Sequence, residues 1–264
     1  MIELRPDDPG YPARLRDLAR PPDPLWVEGD PAVLARDALA VVGTRRMTPY
    51  GERVARELAS AAAAAGLVVV SGLAQGIDSA AHAGALDAGG ASVAVLGEGL
   101  GSFDPHGRRR VLAARLRRRG CVVSEYPPLA GAQTWTFARR NATIAALARA
   151  VVVVEAPHGS GALITAAEAR RIGRGVYAVP GPIGSAASAG TNALIASGLA
   201  RAVEGPETLG LWPTSPRADP LLDRLAAGPL SPDALGVGAE RIAELLLRGD
   251  VVALPDGRLA IATR

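Results

Sequence analysis

From Leu39 to Val203 the chain repeats one phrase: a short β-branched run, a loop rich in Gly, Ser and Pro, then an alanine-rich helix. The runs are Leu39 to Val42, Leu67 to Val70, Ala91 to Leu96, Cys121 to Ser124, Val151 to Glu155, Val176 to Val179 and, more weakly, Leu199 to Val203. A strand that is apolar on both faces must be covered on both, and the intervening helices supply the cover. The fold class is therefore α/β with a mostly parallel sheet. With 264 residues, 48% of them apolar, there is enough material for one such domain and a small appendage. Gly66, Gly120 and Gly173 stand where helices should end on a left-handed residue, and Asp78 and Ser160 where helices should be capped.

Two regions flank this core. Residues 1–38 hold Tyr11-Pro12, Pro21-Pro22, Pro24 and the apolar Leu25-Trp26-Val27, and read as a loosely helical extension packed on the main domain. The α/β domain occupies 39–204, and a linker with Pro206, Pro213, Pro216 and Pro220 occupies 205–220. In 221–264, Leu221 to Leu225 predicts one helix, Ser231-Pro232-Asp233 caps a second, and Ala239 to Arg248 makes a third that ends at Gly249. Val251 to Leu254 and Leu259 to Ile261 then flank an Asp256-Gly257 turn, which predicts a hairpin. Three helices and a hairpin predict a small winged-helix-like domain. Such a module serves duplex DNA or a protein partner as readily as packing.

Every one of the 29 basic residues is arginine. Without lysine there is no Walker-type phosphate loop, no protein kinase and no pyridoxal enzyme, each of which needs one in a fixed role. The single cysteine, Cys121, lies in an apolar run and reads as a buried thiol. No apolar run reaches the roughly 18 residues that span a bilayer, and the first residues are acidic where a signal peptide is basic. The expectation is a cytoplasmic protein without membrane contact.

In an open parallel sheet, ligands bind beyond the carboxyl ends of the strands, so the loops there carry the functional information. They read Gly43-Thr44-Arg45-Arg46, Ser71-Gly72-Leu73-Ala74-Gln75-Gly76-Ile77-Asp78, Glu125-Tyr126-Pro127-Pro128 leading to Phe137-Ala138-Arg139-Arg140-Asn141, Glu155-Ala156-Pro157-His158-Gly159-Ser160-Gly161, and Pro180-Gly181-Pro182. A Gly/Ser/Thr turn that opens a helix offers free N–H groups and the positive end of the helix dipole, which together hold a phosphate. One such turn is commonly only a tight connection. Several on one edge, with Arg45, Arg46, Arg139 and Arg140, suit a nucleic acid backbone better than a lone nucleotide. Phe137 and Tyr126 are candidates to stack bases, although Phe137 and Trp135 read equally well as core. Arg108 to Arg110 and Arg117 to Arg119 fall on one predicted helix and read first as its solvated face.

Catalytic signals are poor by comparison. Asp78 and His82 share a helix face but lack a third metal ligand, His106 and His158 sit in Gly/Pro contexts, and no Gly-x-Ser-x-Gly elbow exists.

Taken together, Val42-Gly43-Thr44-Arg45, Ser71-Gly72-Leu73-Ala74-x-Gly76-Ile77-Asp78 with His82, Ser124-Glu125-Tyr126-Pro127, Phe137-x-x-Arg140-Asn141, Glu155-Ala156-x-x-x-Ser160-Gly161 with Thr165, and Val179-Pro180-Gly181 resemble the DprA/Smf DNA-processing family, in that family's order. The resemblance implies an extended Rossmann-like, doubly wound domain and a dimer. That dimer binds and protects single-stranded DNA and helps load the RecA recombinase in natural transformation and recombination. It also implies that the protein is not an enzyme and uses no cofactor or metal. Gly43, Thr44, Arg45, Arg46, Ser71, Gly72, Gln75, Gly76, Phe137, Arg139, Arg140, Asn141, Ser160, Gly161 and Thr165 would then make the DNA site, with Arg45 on phosphate. The chain departs from the family at Ala142, where an arginine is usual, and at Asp104-Pro105, where Tyr-Pro is usual. The rival class is a nucleoside-monophosphate N-glycosidic hydrolase of the related LOG type, but Pro180-Gly181-Pro182-Ile183-Gly184 lacks its catalytic glutamate. A nicotinamide-dependent oxidoreductase is disfavoured because the first loop is not Gly-x-Gly-x-x-Gly.

Overall fold

Successive residues of the apolar runs point to opposite faces of one sheet, and each face has its own helices. In the computed structural model, which describes residues 1–104, 106–209, 221, 224–225, 228–248 and 251–261, the chain divides into two units, Met1–Trp212 and Pro213–Arg264. The first unit holds strands β1 (Ile2–Leu4), β2 (Leu25–Gly29), β3 (Ala38–Val42), β4 (Val68–Ser71), β5 (Ser92–Leu96), β6 (Cys121–Ser124), β7 (Ala150–Val153), β8 (Gly175–Ala178) and β9 (Arg201–Ala202). Its helices are α1 (Pro49–Ala64), α2 (Ile77–Asp87), α3 (Gly107–Arg119), α4 (Thr134–Leu147), α5 (Gly161–Arg171) and α6 (Ala189–Ala196). Among the described residues the strands form a nine-stranded sheet in the order β1-β2-β6-β5-β4-β3-β7-β8-β9. From β6 through β9 all neighbours are parallel.

On one face Leu39, Val41, Val69 and Val152 pack against Ala55 and Ala59 of α1 and Ala81 and Ala85 of α2, while α3 covers Ala94, Leu96 and Val122. On the other face Ala40, Val42, Val70, Val93 and Val151 pack against Ile144 and Ala145 of α4 and Ala166 and Ala169 of α5. Small helix residues let the helices approach the sheet closely, which is the physical use of the alanine-rich phrase. The chain lays β4, β5 and β6 to one side of β3, then returns and lays β7 on its other side. The loops after β3 and β7 therefore diverge and leave a crevice between them at the carboxyl edge.

Three local expectations are corrected. Residues 1–38 are not loosely helical: they add β1 and β2 as antiparallel strands at the β6 edge, with short 3-10 turns at Ala13–Asp17 and Pro31–Ala35. Leu25 and Val27 are buried and the residues between and after them are not, so the working period there is two, with the prolines confined to the flanks. Gly66 and Gly173 are left-handed as expected, but Gly120 is extended. Its lack of a side chain instead admits the backbone of Ser92. Asp78 does not cap α2. The helix begins two residues earlier with Gly76 at the N-cap, and the Asp78 carboxylate accepts from the Ala74 N–H at 3.3 Å. Ser160 does cap α5, accepting from Ala162 N–H at 3.4 Å.

The second unit has helices Pro232–Leu235 and Ala239–Arg248 and an antiparallel pair, Val251–Ala253 with Leu259–Ile261, joined over Asp256-Gly257. Ser231 caps the first helix from its hydroxyl, and Leu221, Leu225, Leu235, Leu245, Val251 and Leu259 form an apolar cluster. Of the predicted Leu221 to Leu225 helix, Leu221, Arg224 and Leu225 are helical. The rest of it, Gly249, Pro105 and linker residues 210–220 lie outside the described residues. Among the described residues no helix is long and apolar enough to cross a membrane.

Gly76 has φ +88° and ψ −135°, a region open essentially to glycine alone, and a Cβ there would run into the backbone of Thr44 and Arg45. Gly173 has φ +72° with open space around it. Gly76→Ala should lower unfolding free energy by about 3 kcal/mol and Gly173→Ala by about 1 kcal/mol, measured by urea titration of the far-ultraviolet circular dichroism. Equal effects would mean that the contact with the β3 loop contributes nothing.

Candidate functional site

The crevice between the β3 and β7 loops has a volume of about 400 Å³. Its walls are Gly43 to Arg46 on one side, Pro157 to Gly161 on the other, and Phe137, Arg140 and Asn141 from α4 above the sheet edge, with Ala74 and Asp78 at its end. The β3 loop is stiff. Thr44 N–H donates to the Glu155 carbonyl at 2.7 Å, its hydroxyl accepts from Arg46 N–H at 3.2 Å, and its carbonyl accepts from Ile77 N–H at 3.2 Å. Gly43 has no Cβ because one would overlap Ile77 and the Glu155 carbonyl.

Two arginines of opposite character meet at Phe137. Arg140 is buried, and its Nη1 donates to the carbonyls of Gly72, at 2.8 Å, and Val95. Arg45 is exposed, with its guanidinium 5.5 Å from the Phe137 ring centroid; that of Arg140 lies 5.9 Å away. Burial pulls the Arg140 guanidinium below its ordinary pKa, opposed by the charge of Asp78. Burial likewise pushes the Asp78 carboxyl up, opposed first by Arg140. Among the described residues neither Arg45 nor Arg46 is ion-paired. The crevice thus has a fixed cation beneath and exposed cations at its lip, beside the N-terminus of α5. That arrangement is chemically equipped to hold phosphate oxygens and to place a flat ring near Phe137.

A buried carboxylate ties the two loops together. Glu155, at the end of β7, is 1% exposed and accepts from Thr48 twice, from N–H at 2.9 Å and from the hydroxyl at 2.5 Å. Thr48 is also the N-cap of α1, accepting from Gly51 N–H at 3.1 Å. The sequence reading missed this clamp. Thr48-Pro49 is nevertheless a legible helix start, a capping threonine followed by proline at the first helical position.

Of the fifteen residues expected to make the site, Gly43, Thr44, Arg45, Arg46, Phe137, Arg140, Asn141, Ser160 and Gly161 line this crevice. The others stand elsewhere. Ser71 is buried and donates to the Val41 carbonyl at 2.7 Å, Gly72 supplies a carbonyl to Arg140, and Gly76 packs on the β3 loop. Gln75 is exposed on its turn, and Thr165 is buried within α5. Arg139 leaves another side of α4 and pairs with the buried carboxylate of Glu125 at 2.7 Å, whose pKa burial raises against that pairing. Tyr126 is not a surface for bases: it is buried, donates to the Thr136 carbonyl at 3.1 Å, and meets the edge of Trp135. Trp135 is 55% exposed rather than core. Pro157, His158 and Gly159 are walls that no motif singled out. Among the described residues no three His, Cys, Asp or Glu side chains gather as metal ligands.

Comparison with known proteins gives one consistent result. Residues 3–210 match the family described as DNA recombination-mediator protein A. The chain is 42% identical to Protein Smf of Escherichia coli over 203 residues, covering 77% of this chain and 54% of that protein. It is 46% identical to a putative DNA processing protein DprA of Mycobacterium tuberculosis, covering 74% and 53%. The chain thus spans about half the length of these relatives. Among solved structures it is similar to DNA processing protein A of Streptococcus pneumoniae, with TM-score 0.73 and 36% identity over 79% of this chain and 72% of that one. It is also similar to DNA processing protein A of Helicobacter pylori, studied for its single-stranded DNA binding mode, with TM-score 0.69 and 28% identity over 75% and 90%.

His82 of α2 is fully buried. Its Nδ1 lies 2.7 Å from Ser92 Oγ, which itself donates to the Val69 carbonyl, so Nδ1 carries the proton and Nε2 is a bare buried acceptor. Burial first, and the Arg140 charge second, hold His82 down at about 3. The unfolded chain takes up this proton near the ordinary histidine value and the folded chain does not. The stabilisation is therefore complete above that value, and is lost about tenfold in the folding equilibrium per pH unit as pH falls towards 3. The raised carboxyls of Asp78 and Glu125 act in the opposite sense. The difference between wild type and His82→Gln isolates the histidine: urea midpoints between pH 7 and 4 should fall more steeply for the wild type. Parallel curves would refute the assignment.

Proposed function

The chain belongs to the DNA recombination-mediator protein A family, and from that premise we propose that it binds single-stranded DNA along the carboxyl edge of its sheet, protects it and helps load it with RecA recombinase. The observation that carries the reading is the crevice lip. Arg45 and Arg46 are exposed without ion pairs among the described residues, beside the Ser160-capped start of α5 and above the buried charge of Arg140. Cations without carboxylate partners, next to oriented N–H groups, bind a polyanion by releasing its counterions, and an aromatic ring beside them accepts unstacked bases. A duplex keeps its bases stacked and denies that ring, so single strands are preferred. The similar Helicobacter pylori protein, studied for binding single-stranded DNA, supports the same reading.

The protein works without chemistry on its ligand and without a cofactor, as a cytoplasmic homodimer in DNA uptake and recombination. The second unit is a winged-helix-like module. Among the described residues the walls of the crevice supply cations and backbone groups, with Asp78 as their one carboxylate. Release of free base from a nucleoside monophosphate would overturn this in favour of the hydrolase.

Fluorescence anisotropy should show tighter binding of an oligothymidylate than of a duplex of equal length. Arg45→Ala should weaken binding roughly tenfold at low salt and reduce the salt slope by about 0.7, the share of one phosphate on a single strand. Absence of binding at low salt would end the DNA reading.

A further inference from the structure

A second recess lies on the far side of the β3 loop. It has a volume of about 470 Å³, with walls that include Thr48, Tyr50, Glu155, Pro180, Pro182 and Ser188. The loop that presents Arg45 and Arg46 to the crevice presents Thr48 to this recess, and the first turn of α1, which follows it, presents Tyr50. The same residue, Glu155, also joins the two, because its carbonyl holds Thr44 and its side chain holds Thr48. The recess is prepared for a flat, uncharged ring. Tyr50 donates from its hydroxyl to the Pro180 carbonyl at 3.0 Å, which anchors the tip of its ring at the recess. Arg53 lies over the ring, with its guanidinium 5.6 Å from the centroid. Pro180 and Pro182 face it with apolar rings of their own. The buried carboxylate of Glu155 at the base repels phosphate. Gly51 is part of this construction, since any side chain there would occupy the place of the Glu155 carboxylate.

We propose that this recess is a nucleobase subsite: a strand whose phosphate rests on Arg45 and Arg46 crosses the β3 loop and inserts its neighbouring base against Tyr50, between that ring and Pro180 and Pro182. The inference rests on the single-stranded DNA reading and names where one base goes. Stacking on an aromatic side chain is tolerant of base identity, so the subsite grips any sequence.

Two measurements test it. An oligothymidylate carrying one 5-iodouracil, irradiated in complex with the wild type, should crosslink to the peptide containing Tyr50. Anisotropy titrations should compare the oligothymidylate with an abasic strand of equal length. Tyr50→Ala should lose about tenfold for the base-bearing strand and nothing for the abasic one, whereas Arg45→Ala should lose affinity for both. Tyr50→Phe, which keeps the ring, should bind within about twofold of wild type. Crosslinks confined to other residues, or equal losses by Tyr50→Ala on both strands, would overturn the subsite and leave the phosphate crevice standing. Failure of the wild type to bind either strand would overturn the parent reading as well. Should Tyr50→Ala not fold, the wild-type crosslink and the phenylalanine variant still decide the matter.

Discussion

Everything at the carboxyl edge of this sheet is arranged around one buried guanidinium. Arg140 sits at the level where β4 and β5 end, and donates to the carbonyls of Gly72 and Val95, groups that a parallel sheet leaves without partners as its strands run out. To do this it needs an empty place, and Gly72 supplies it: a Cβ there would stand 2.5 Å from Nη1. Gly97 does the same for Phe137, whose ring occupies the space a side chain would need. Helix α4 is thereby pinned to the strand ends and not merely laid on the sheet face. A charge this deep is costly in isolation. It is tolerated because it answers orphaned carbonyls and has the Asp78 carboxylate to oppose it, and the crevice above inherits a positive floor that does not move.

The second constraint acts across the switch point. Glu155 and Thr48 lie far apart in the chain, on the two loops that diverge there, and two hydrogen bonds hold those loops at a set spacing. Because Thr48 also caps α1, the helix cannot shift without disturbing the loop, nor the loop without the helix. Binding residues carried on such loops lose little conformational freedom when a ligand arrives, which is the condition for affinity from a small number of contacts.

The strands of the core were legible because each is apolar on both faces, a pattern that only a doubly covered sheet explains. The crevice was legible because its loops carry residues that offer N–H groups and positive charge. What escaped has physical reasons. The edge strand of Leu25 and Val27 is too short for its alternation to stand out among the prolines around it. Arg139 and Arg140 are neighbours in sequence, yet about 100° of helix rotation sends one to Glu125 and the other under the crevice, and nothing local says which. Asp78 looked like a cap because its residue type is the commonest one there, whereas the true start of α2 is set by the unusual backbone of Gly76. The Glu155 clamp joins loops by tertiary closure alone, and a lone glutamate at a strand end announces no such partner.

The two margins of the sheet are built alike despite their different origins. On one side β1 is three residues long and antiparallel to its neighbour; on the other β9 is two residues long. A margin that short exposes too few unpaired amides for a foreign strand to zip along it. The sheet is therefore a closed platform. It is spared the indiscriminate backbone pairing by which open sheets grow into aggregates.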